Sequence, residues 1–193
     1  PLRFIYDNNY FNDKYQGVPI GGFTQMFEKM LDGIEVKLNQ DYFKDKNHYD
    51  SIADKVVYTG CIDEFFDYKY GELGYRSLRF ETGVLDMENY QGCAVINQCD
   101  HTEEYTRTVE HKHFERVKTD HTVITREYPI EYKRGMIPYY PINTKENAEM
   151  YDKYRKESKT LTNIIFGGRL AEYKYMDMHI VIESAMNKFR SAQ

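Results

Sequence analysis

A series of extended segments in the middle of the chain constrains its fold more than any other feature. The segments are rich in β-branched and aromatic residues and are separated by polar, turn-like breaks. They are Tyr75–Thr82, Cys93–Gln98, Tyr105–Phe114 and Thr122–Tyr128. Such composition favours strands, and short connections favour antiparallel neighbours. We therefore expect an antiparallel sheet over about residues 75–140, with Pro138–Pro141 as a rigid loop.

Helices and isolated strands flank this region. Apolar spacing predicts a helix over Phe23–Asp32, and others over Ile62–Tyr70, Lys145–Glu157 with Thr144 as its cap, and Asp177–Arg190. The last helix is predicted to bury its apolar side chains, which are Met178, Val181, Ile182, Ala185, Met186 and Phe189. Alternation or apolar runs predict strands at Ile34–Leu38, Lys55–Tyr58 and Asn163–Phe166. The expected fold class is α+β.

Composition excludes several functional classes. The net charge of −5 argues against non-specific nucleic-acid binding. No apolar run approaches the ~18 residues that a membrane span needs. The cysteines Cys61, Cys93 and Cys99 are odd in number and lack zinc-type spacing, so we expect reduced thiols in a cytoplasmic protein. The sequence leaves the oligomeric state open, a homodimer included.

The segment Asn163–His179 has the composition of a ligand-binding turn. It combines a short strand, the glycine pair Gly167-Gly168, Arg169 and a helix that begins near Asp177. Glycines allow close approach of a ligand, a helix N-terminus has unpaired N–H groups, and an arginine can grip phosphate with two parallel bonds. On spacing alone, an ordinary connection between a strand and a helix is an equally good interpretation.

Alternation places two further arginines on the faces of predicted strands. It places Arg107 on one face of the segment Tyr105–Phe114, together with His111 and His113, and Arg76 on one face with apolar neighbours. On spacing alone, a structural salt bridge is the simpler interpretation of each arginine. Two histidines on one strand face could chelate zinc, but no third ligand stands out, so no metal site is assigned.

Six motifs together cover nearly the whole chain. They are YQGVPIGGFT (15–24), YTGCIDEFFDYKYGELGYRSLRFE (58–81), QGCAVINQCD (91–100), YTRTVEHKHFE (105–115), PYYPIN (138–143) and GGRLAEYKYMDM (167–178). In the same order, these motifs resemble the UDP-galactopyranose mutase family. An ordered set of this kind is far more specific than a single glycine motif.

The resemblance implies an FAD-dependent enzyme that interconverts UDP-galactopyranose and UDP-galactofuranose. In that family reduced flavin acts covalently on the anomeric carbon while UDP leaves and returns, with no net redox change. The resemblance implies substrate contacts from Tyr10, Asn97, Arg107, Tyr140 and Tyr175. It implies catalytic roles for Arg76 and Arg107, and flavin contacts from Gly168, Arg169, Asp177 and Met178.

The dinucleotide-binding fingerprint of a flavoprotein, GxGxxG after a strand, is absent from this sequence. We therefore expect residues 1–193 to be the C-terminal part of a larger flavoenzyme, colourless and inactive by itself. About residues 20–72 and 160–193 would then be pieces of its FAD-binding domain. Two alternatives stay open, which are a flavin-independent sugar-nucleotide-binding module and a relative of the amine-oxidase-like flavoproteins.

Overall fold

The computed structural model describes residues 4–6, 9 and 11–192, the last by its backbone alone. The helices are α1 (Gly22–Met30), α2 (Lys46–Ile52), α3 (Ile62–Phe65), α4 (Lys112–Glu115), α5 (Lys145–Ser158), α6 (Gly168–Ala171) and α7 (Met178–Ala192). The strands are β1 (Val56–Tyr58), β2 (Tyr75–Leu85), β3 (Val95–Asn97), β4 (Arg107–Glu110), β5 (Thr122–Glu131), β6 (Tyr140–Pro141) and β7 (Ile164–Phe166). In this part of the chain, no helix combines the length and apolar character that crossing a membrane requires.

A five-stranded antiparallel sheet forms the centre of the molecule, as the sequence predicted. Its strand order is β3-β4-β5-β2-β6, and its longest ladder runs from Arg76 opposite Glu131 to Leu85 opposite Thr122. The expected α+β class and antiparallel sheet are therefore confirmed. The loop predicted at Pro138–Pro141 differs in one respect, because its last two residues pair with Tyr75 and Arg76 as the edge strand β6.

A second, smaller sheet consists of two parallel strands, β1 and β7, with Val57 opposite Ile165. These match two of the three isolated strands predicted from the sequence. The third, Ile34–Leu38, is wrong, because this segment is irregular and its apolar side chains are exposed. Alternation makes a strand only where a partner completes the ladder, and no described strand lies alongside this segment.

Two aromatic clusters hold the sheets together. The larger contains Cys61, Ile62, Leu73, Tyr75, Tyr154 and Tyr173, and the smaller contains Tyr58, Ile164 and Ala171. Phe166 packs against both clusters, so β7 joins the small sheet to the large one. At the centre, the buried carboxylate of Asp63 accepts from the Leu73 amide at 2.9 Å and from the Tyr75 hydroxyl at 3.1 Å.

The helices follow the sequence with two corrections of length. The helix predicted over Ile62–Tyr70 ends at Phe65, because Asp67 and Tyr68 adopt positive φ values of 48° and 55° and turn the chain back. The predicted strand Tyr105–Phe114 ends at Glu110 and continues as α4. By contrast, α5 begins at the predicted cap, where Thr144 Oγ1 accepts from the Asn147 amide at 3.2 Å.

Helix α7 has the predicted position but not the predicted burial. Its apolar side chains are largely exposed, up to 64% for Phe189. The small sheet is too narrow to cover them, and an open cleft of about 440 Å³ lies between it and α7. Val57, Ile165, Val181 and Phe189 line this cleft, so the molecule presents an apolar face there.

Candidate functional site

Two rows of side chains cross one face of the large sheet. In the first row Asn97 lies opposite Arg107, which lies opposite Glu127, which lies opposite Phe80. In the second row Glu131, Arg76 and Tyr140 lie opposite one another. Because Arg76 and Phe80 are four residues apart on β2, both rows point to the same side of the sheet. The sheet register thus gathers four of the predicted site residues, Asn97, Arg107, Arg76 and Tyr140, on one surface.

Arg107 is held at the centre of the first row by its two neighbours. Its Nε donates to Asn97 Oδ1 at 3.0 Å, and its Nη1 lies 3.5 Å from Glu127 Oε2. The Arg107 side chain is nevertheless 45% exposed, whereas that of Glu127 is 17% exposed. The guanidinium is therefore oriented by an amide and a carboxylate while part of it faces outward, as an anion-binding group requires.

Glu127 is a neighbour of Arg107 in the candidate site that was not predicted from the sequence. The signal available in the sequence was the alternation along β5, which places Glu127, Pro129 and Glu131 on one face of the strand. Arg76, Leu78 and Phe80 share a face of β2 in the same way. That signal becomes useful only when the register of β4 against β5 is known.

Arg76 shares its sheet face with the predicted apolar neighbours Leu78 and Phe80. The Arg76 side chain is exposed, however, and so is that of Phe80. The reason is that this sheet face stays open within the described part of the chain. No described residue forms a hydrogen bond or an ion pair with the Arg76 side chain, so its charge is available beside Tyr140.

Tyr140 and Tyr175 meet at the edge of this surface. Their rings pack edge to face with centroids 6.1 Å apart, although 35 positions separate them in the chain. Burial and then the negative charge of Asp177 raise the pKa of the Tyr175 hydroxyl, while the charges of Arg169 and Arg107 act in the opposite direction. Because the net effect is upward, this hydroxyl stays protonated at neutral pH and can donate a hydrogen bond.

The double-glycine turn is built differently from the sequence expectation. The Gly167 amide donates to Tyr58 O at 3.0 Å, and the Gly168 amide donates to Glu172 Oε1 at 3.3 Å. These amides are therefore not free for a ligand, because β1 and a carboxylate on the next turn take them. Gly168 has a φ of +82°, which explains why glycine is needed there even though a Cβ would find room.

Arg169 also makes internal bonds. Its Nε and Nη2 donate to Met176 O at 3.2 and 2.6 Å, its Nη1 donates to Tyr139 O at 3.1 Å, and its guanidinium lies 4.8 Å from the Tyr175 ring centroid. A guanidinium has five N–H groups, so two remain for a ligand. Contrary to what the sequence suggested, Arg169 therefore does not have its whole guanidinium available to bind a phosphate.

The remaining predicted residues are Asp177, Met178 and Tyr10. Asp177 stands at the N-terminal end of α7, where its carbonyl accepts from the Val181 amide at 3.0 Å, and Met178 follows with a half-exposed side chain. Tyr10 lies outside the described residues.

The histidine pair does not form a metal centre. His111 Nε2 lies 2.7 Å from Thr125 Oγ1, whereas His113 Nε2 lies 3.2 Å from Glu110 Oε2. The two rings serve different partners because the chain becomes helical after Glu110 and the alternation ends. Within the described residues, no group of three or more histidine, cysteine or acidic side chains is arranged to hold a metal ion.

A family model for UDP-galactopyranose mutase matches residues 1–175. The chain is 39% identical over 189 residues to a probable UDP-galactopyranose mutase of Klebsiella pneumoniae, covering 96% of this chain and 48% of that protein. It is 37% identical over 192 residues to the dTDP-fucopyranose mutase of Escherichia coli, covering 96% of this chain and 51% of that protein.

A third relative, the UDP-galactopyranose mutase of Mycoplasma pneumoniae, is 35% identical over 192 residues, covering 90% of this chain and 47% of the relative. The chain thus spans about half the length of the curated relatives it matches. The family model covers far more than half of the chain. The chain belongs to the UDP-galactopyranose mutase family.

Proposed function

We propose that this chain supplies the substrate-binding sheet and one wall of the flavin site of an FAD-dependent mutase that interconverts UDP-galactopyranose and UDP-galactofuranose. The observation that carries this proposal is that the Asn97–Arg107–Glu127 row and Tyr140 lie on the same face of the sheet, while Tyr175 packs against Tyr140 beside Arg169 and is close enough to Arg107 to feel its charge. Cations and protonated hydroxyls at one open surface suit a diphosphate, whose charge must be neutralised when it leaves water.

The diphosphate of the substrate would lie over this surface. Arg107 would bind it with the part of its guanidinium that Asn97 and Glu127 do not occupy, and Arg76 would add a second charge. Tyr140 and Tyr175 would donate their hydroxyls. In a reaction that separates UDP from the sugar and returns it, these groups stabilise the charge that develops on the leaving diphosphate.

The residues present fit one wall of an FAD site. The Arg169 guanidinium keeps two N–H groups, the Asp177 carboxylate lies near the Tyr175 hydroxyl, and the positive φ of Gly168 sets the turn that places Arg169. When bound, reduced FAD would supply nucleophilic chemistry toward the anomeric carbon of the sugar. The chain's own contribution is to orient the cofactor edge through Gly168, Arg169, Asp177 and Met178 and to hold the diphosphate nearby.

We further propose that β1, β7 and α7 belong to the FAD-binding unit and that other strands complete it. The support is the apolar face between the small sheet and α7, since a two-stranded sheet is marginal by itself. The absent GxGxxG fingerprint and the coverage of only half of each relative agree with this proposal. The chain on its own would then lack flavin and activity.

The sugar is proposed as galactose because the family model and two of the relatives described carry that name. The Escherichia coli relative is named for a dTDP-linked fucose, so the feature common to all of them is a nucleoside diphosphate sugar whose ring changes size. We place the reaction in the cytoplasm, since Cys61, Cys93 and Cys99 are all free thiols.

The proposal is tested by flavin content and calorimetry on two proteins. One is this chain alone, and the other is a hybrid enzyme in which the chain is joined to the part of the Klebsiella pneumoniae relative that it does not match. We expect the chain alone to be colourless and the hybrid enzyme to bind FAD in nearly equal amount. A flavin absorption band at that level in the chain alone would refute the proposal that this chain supplies only one wall of the FAD site. UDP binding by the chain that does not depend on FAD would favour a flavin-independent sugar-nucleotide-binding module.

A further inference from the structure

Arg169 connects the two segments that carry the predicted site tyrosines Tyr140 and Tyr175. Its guanidinium bonds to the carbonyl of Tyr139, which immediately precedes Tyr140, and to the carbonyl of Met176, which immediately follows Tyr175. The Tyr175 ring also lies under the guanidinium, 4.8 Å from it, and meets the Tyr140 ring edge to face. The planar guanidinium of Arg169 therefore contacts both tyrosine-bearing segments and the Tyr175 ring.

The geometry of this contact depends on arginine. Bonds from three different nitrogens of one rigid plane set the direction and the separation of the two carbonyls, which a lysine ammonium on a flexible stem would not do. The Tyr140 side has independent support, because the Tyr139 amide donates to Arg76 O at 2.9 Å and Pro141 pairs with Tyr75.

The Tyr175 side depends more strongly on Arg169. In the segment 174–177, the described backbone bonds run from the Lys174 amide to Arg169 O at 3.0 Å and from the Val181 amide to Asp177 O at 3.0 Å. The buried Met176 side chain anchors the segment, but it does not fix the direction of the neighbouring Tyr175 ring. The contacts that bear on that direction are the Arg169 bonds to Met176 O and the interaction of the Tyr175 hydroxyl with the Asp177 carboxylate.

We propose that Arg169 is a positioning residue that sets the separation of Tyr140 and Tyr175 and thereby the width of the diphosphate site. The functional part rests on the proposed function, whereas the positioning part concerns only this chain. This role goes beyond a flavin contact, because it uses the three N–H groups that face the protein, and the two that remain serve the cofactor.

The test uses nuclear magnetic resonance of this chain with labelled tyrosine rings, assigned with Tyr140→Phe and Tyr175→Phe. In the wild type we expect a cross-ring contact signal between Tyr140 and Tyr175, as their packing requires. Arg169→Lys and Arg169→Ala should abolish it, although the first keeps the charge, and added methylguanidinium should restore it in Arg169→Ala. The exposed neighbour Lys174→Ala is the matched control and should leave the signal unchanged.

The cross-ring signal between Tyr140 and Tyr175 decides the outcome. A cross-ring signal that persists in folded Arg169→Lys overturns the proposal, and so does one that is lost equally in Lys174→Ala. UDP affinity of the hybrid enzyme is measured in parallel and should fall about tenfold in Arg169→Lys, the size of one lost hydrogen bond to a charged group. If the rings respond as expected while the unmodified hybrid enzyme fails to bind UDP, the positioning role stands and the proposed diphosphate site is wrong.

Discussion

Replacing Arg107 by alanine is expected to lower kcat/KM of the hybrid enzyme by about a hundredfold to a thousandfold, the usual cost of removing one preorganised group that stabilises developing charge. Arg107 occupies the centre of the Asn97–Arg107–Glu127 row and is half exposed toward the open face of the sheet. Its loss would remove one of the two sheet arginines proposed to bind the diphosphate and would leave the Glu127 carboxylate without its cation. The measurement is steady-state conversion of UDP-galactofuranose under reducing conditions.

Arg155→Ala is the matched control for this variant. Arg155 is an exposed arginine on α5 that forms a surface ion pair with Asp152 at 3.0 Å, so its removal should change kcat/KM by less than about twofold. A similar small change in Arg107→Ala would show that the row is only a structural salt bridge, and the proposed diphosphate site would have to be abandoned.

Replacing Glu110 by alanine is expected to lower the free energy of unfolding by about 3 kcal/mol, because the change removes a buried charge from its hydrogen-bonding partners. The side chain of Glu110 is fully buried and accepts from the amides of Tyr90 and Gln91 at 3.1 and 2.8 Å and from Thr122 Oγ1 at 2.8 Å. It therefore ties the segment before β3 to the ends of β4 and β5. Urea unfolding at neutral pH measures the effect, with the exposed Glu88→Gln as a control that should change stability by less than about 0.5 kcal/mol.

The same carboxylate predicts a pH dependence. Burial by itself would raise the pKa of Glu110, but the hydrogen bonds from Gln91, Tyr90, Thr122 and His113 outweigh it and lower the pKa from 4.5 to about 2. A lowered folded-state pKa means that the stabilisation is complete above pH 4.5 and is lost as the pH falls toward 2. The stability difference between the wild type and Glu110→Ala should therefore narrow across this interval, and a constant difference would contradict the assigned role.

The parts of the fold that depend on local pattern were predictable from the sequence. β-Branched and aromatic composition located β2 and β5, the Thr144 cap located the start of α5, and glycine punctuation located the turn after β7. The strand predicted at Ile34–Leu38 rested on alternation, but no described strand pairs with it, and pairing is a tertiary property. The burial predicted for α7 failed for a related reason, since an amphipathic face indicates that something should cover it without indicating that the covering element is present.

The candidate site was predictable by residue type more than by contact. Arg107 and Asn97 could be named from their motifs, and the register brought them together. Glu127 was missed because its contact with Arg107 depends on the pairing of β4 with β5. The carbonyl partners of Arg169 were unpredictable because Tyr139 lies 30 positions away and reaches it only through the fold.

Conversion of UDP-galactofuranose by the hybrid enzyme, followed with the flavin first oxidised and then reduced by dithionite, tests the central claim most directly. The account predicts turnover to UDP-galactopyranose only in the reduced form, with FAD bound in nearly equal amount to protein. The contradicting result is a folded hybrid enzyme that holds fully reduced FAD and yet leaves UDP-galactofuranose unchanged. It would show that this chain does not carry the substrate-binding sheet of a mutase.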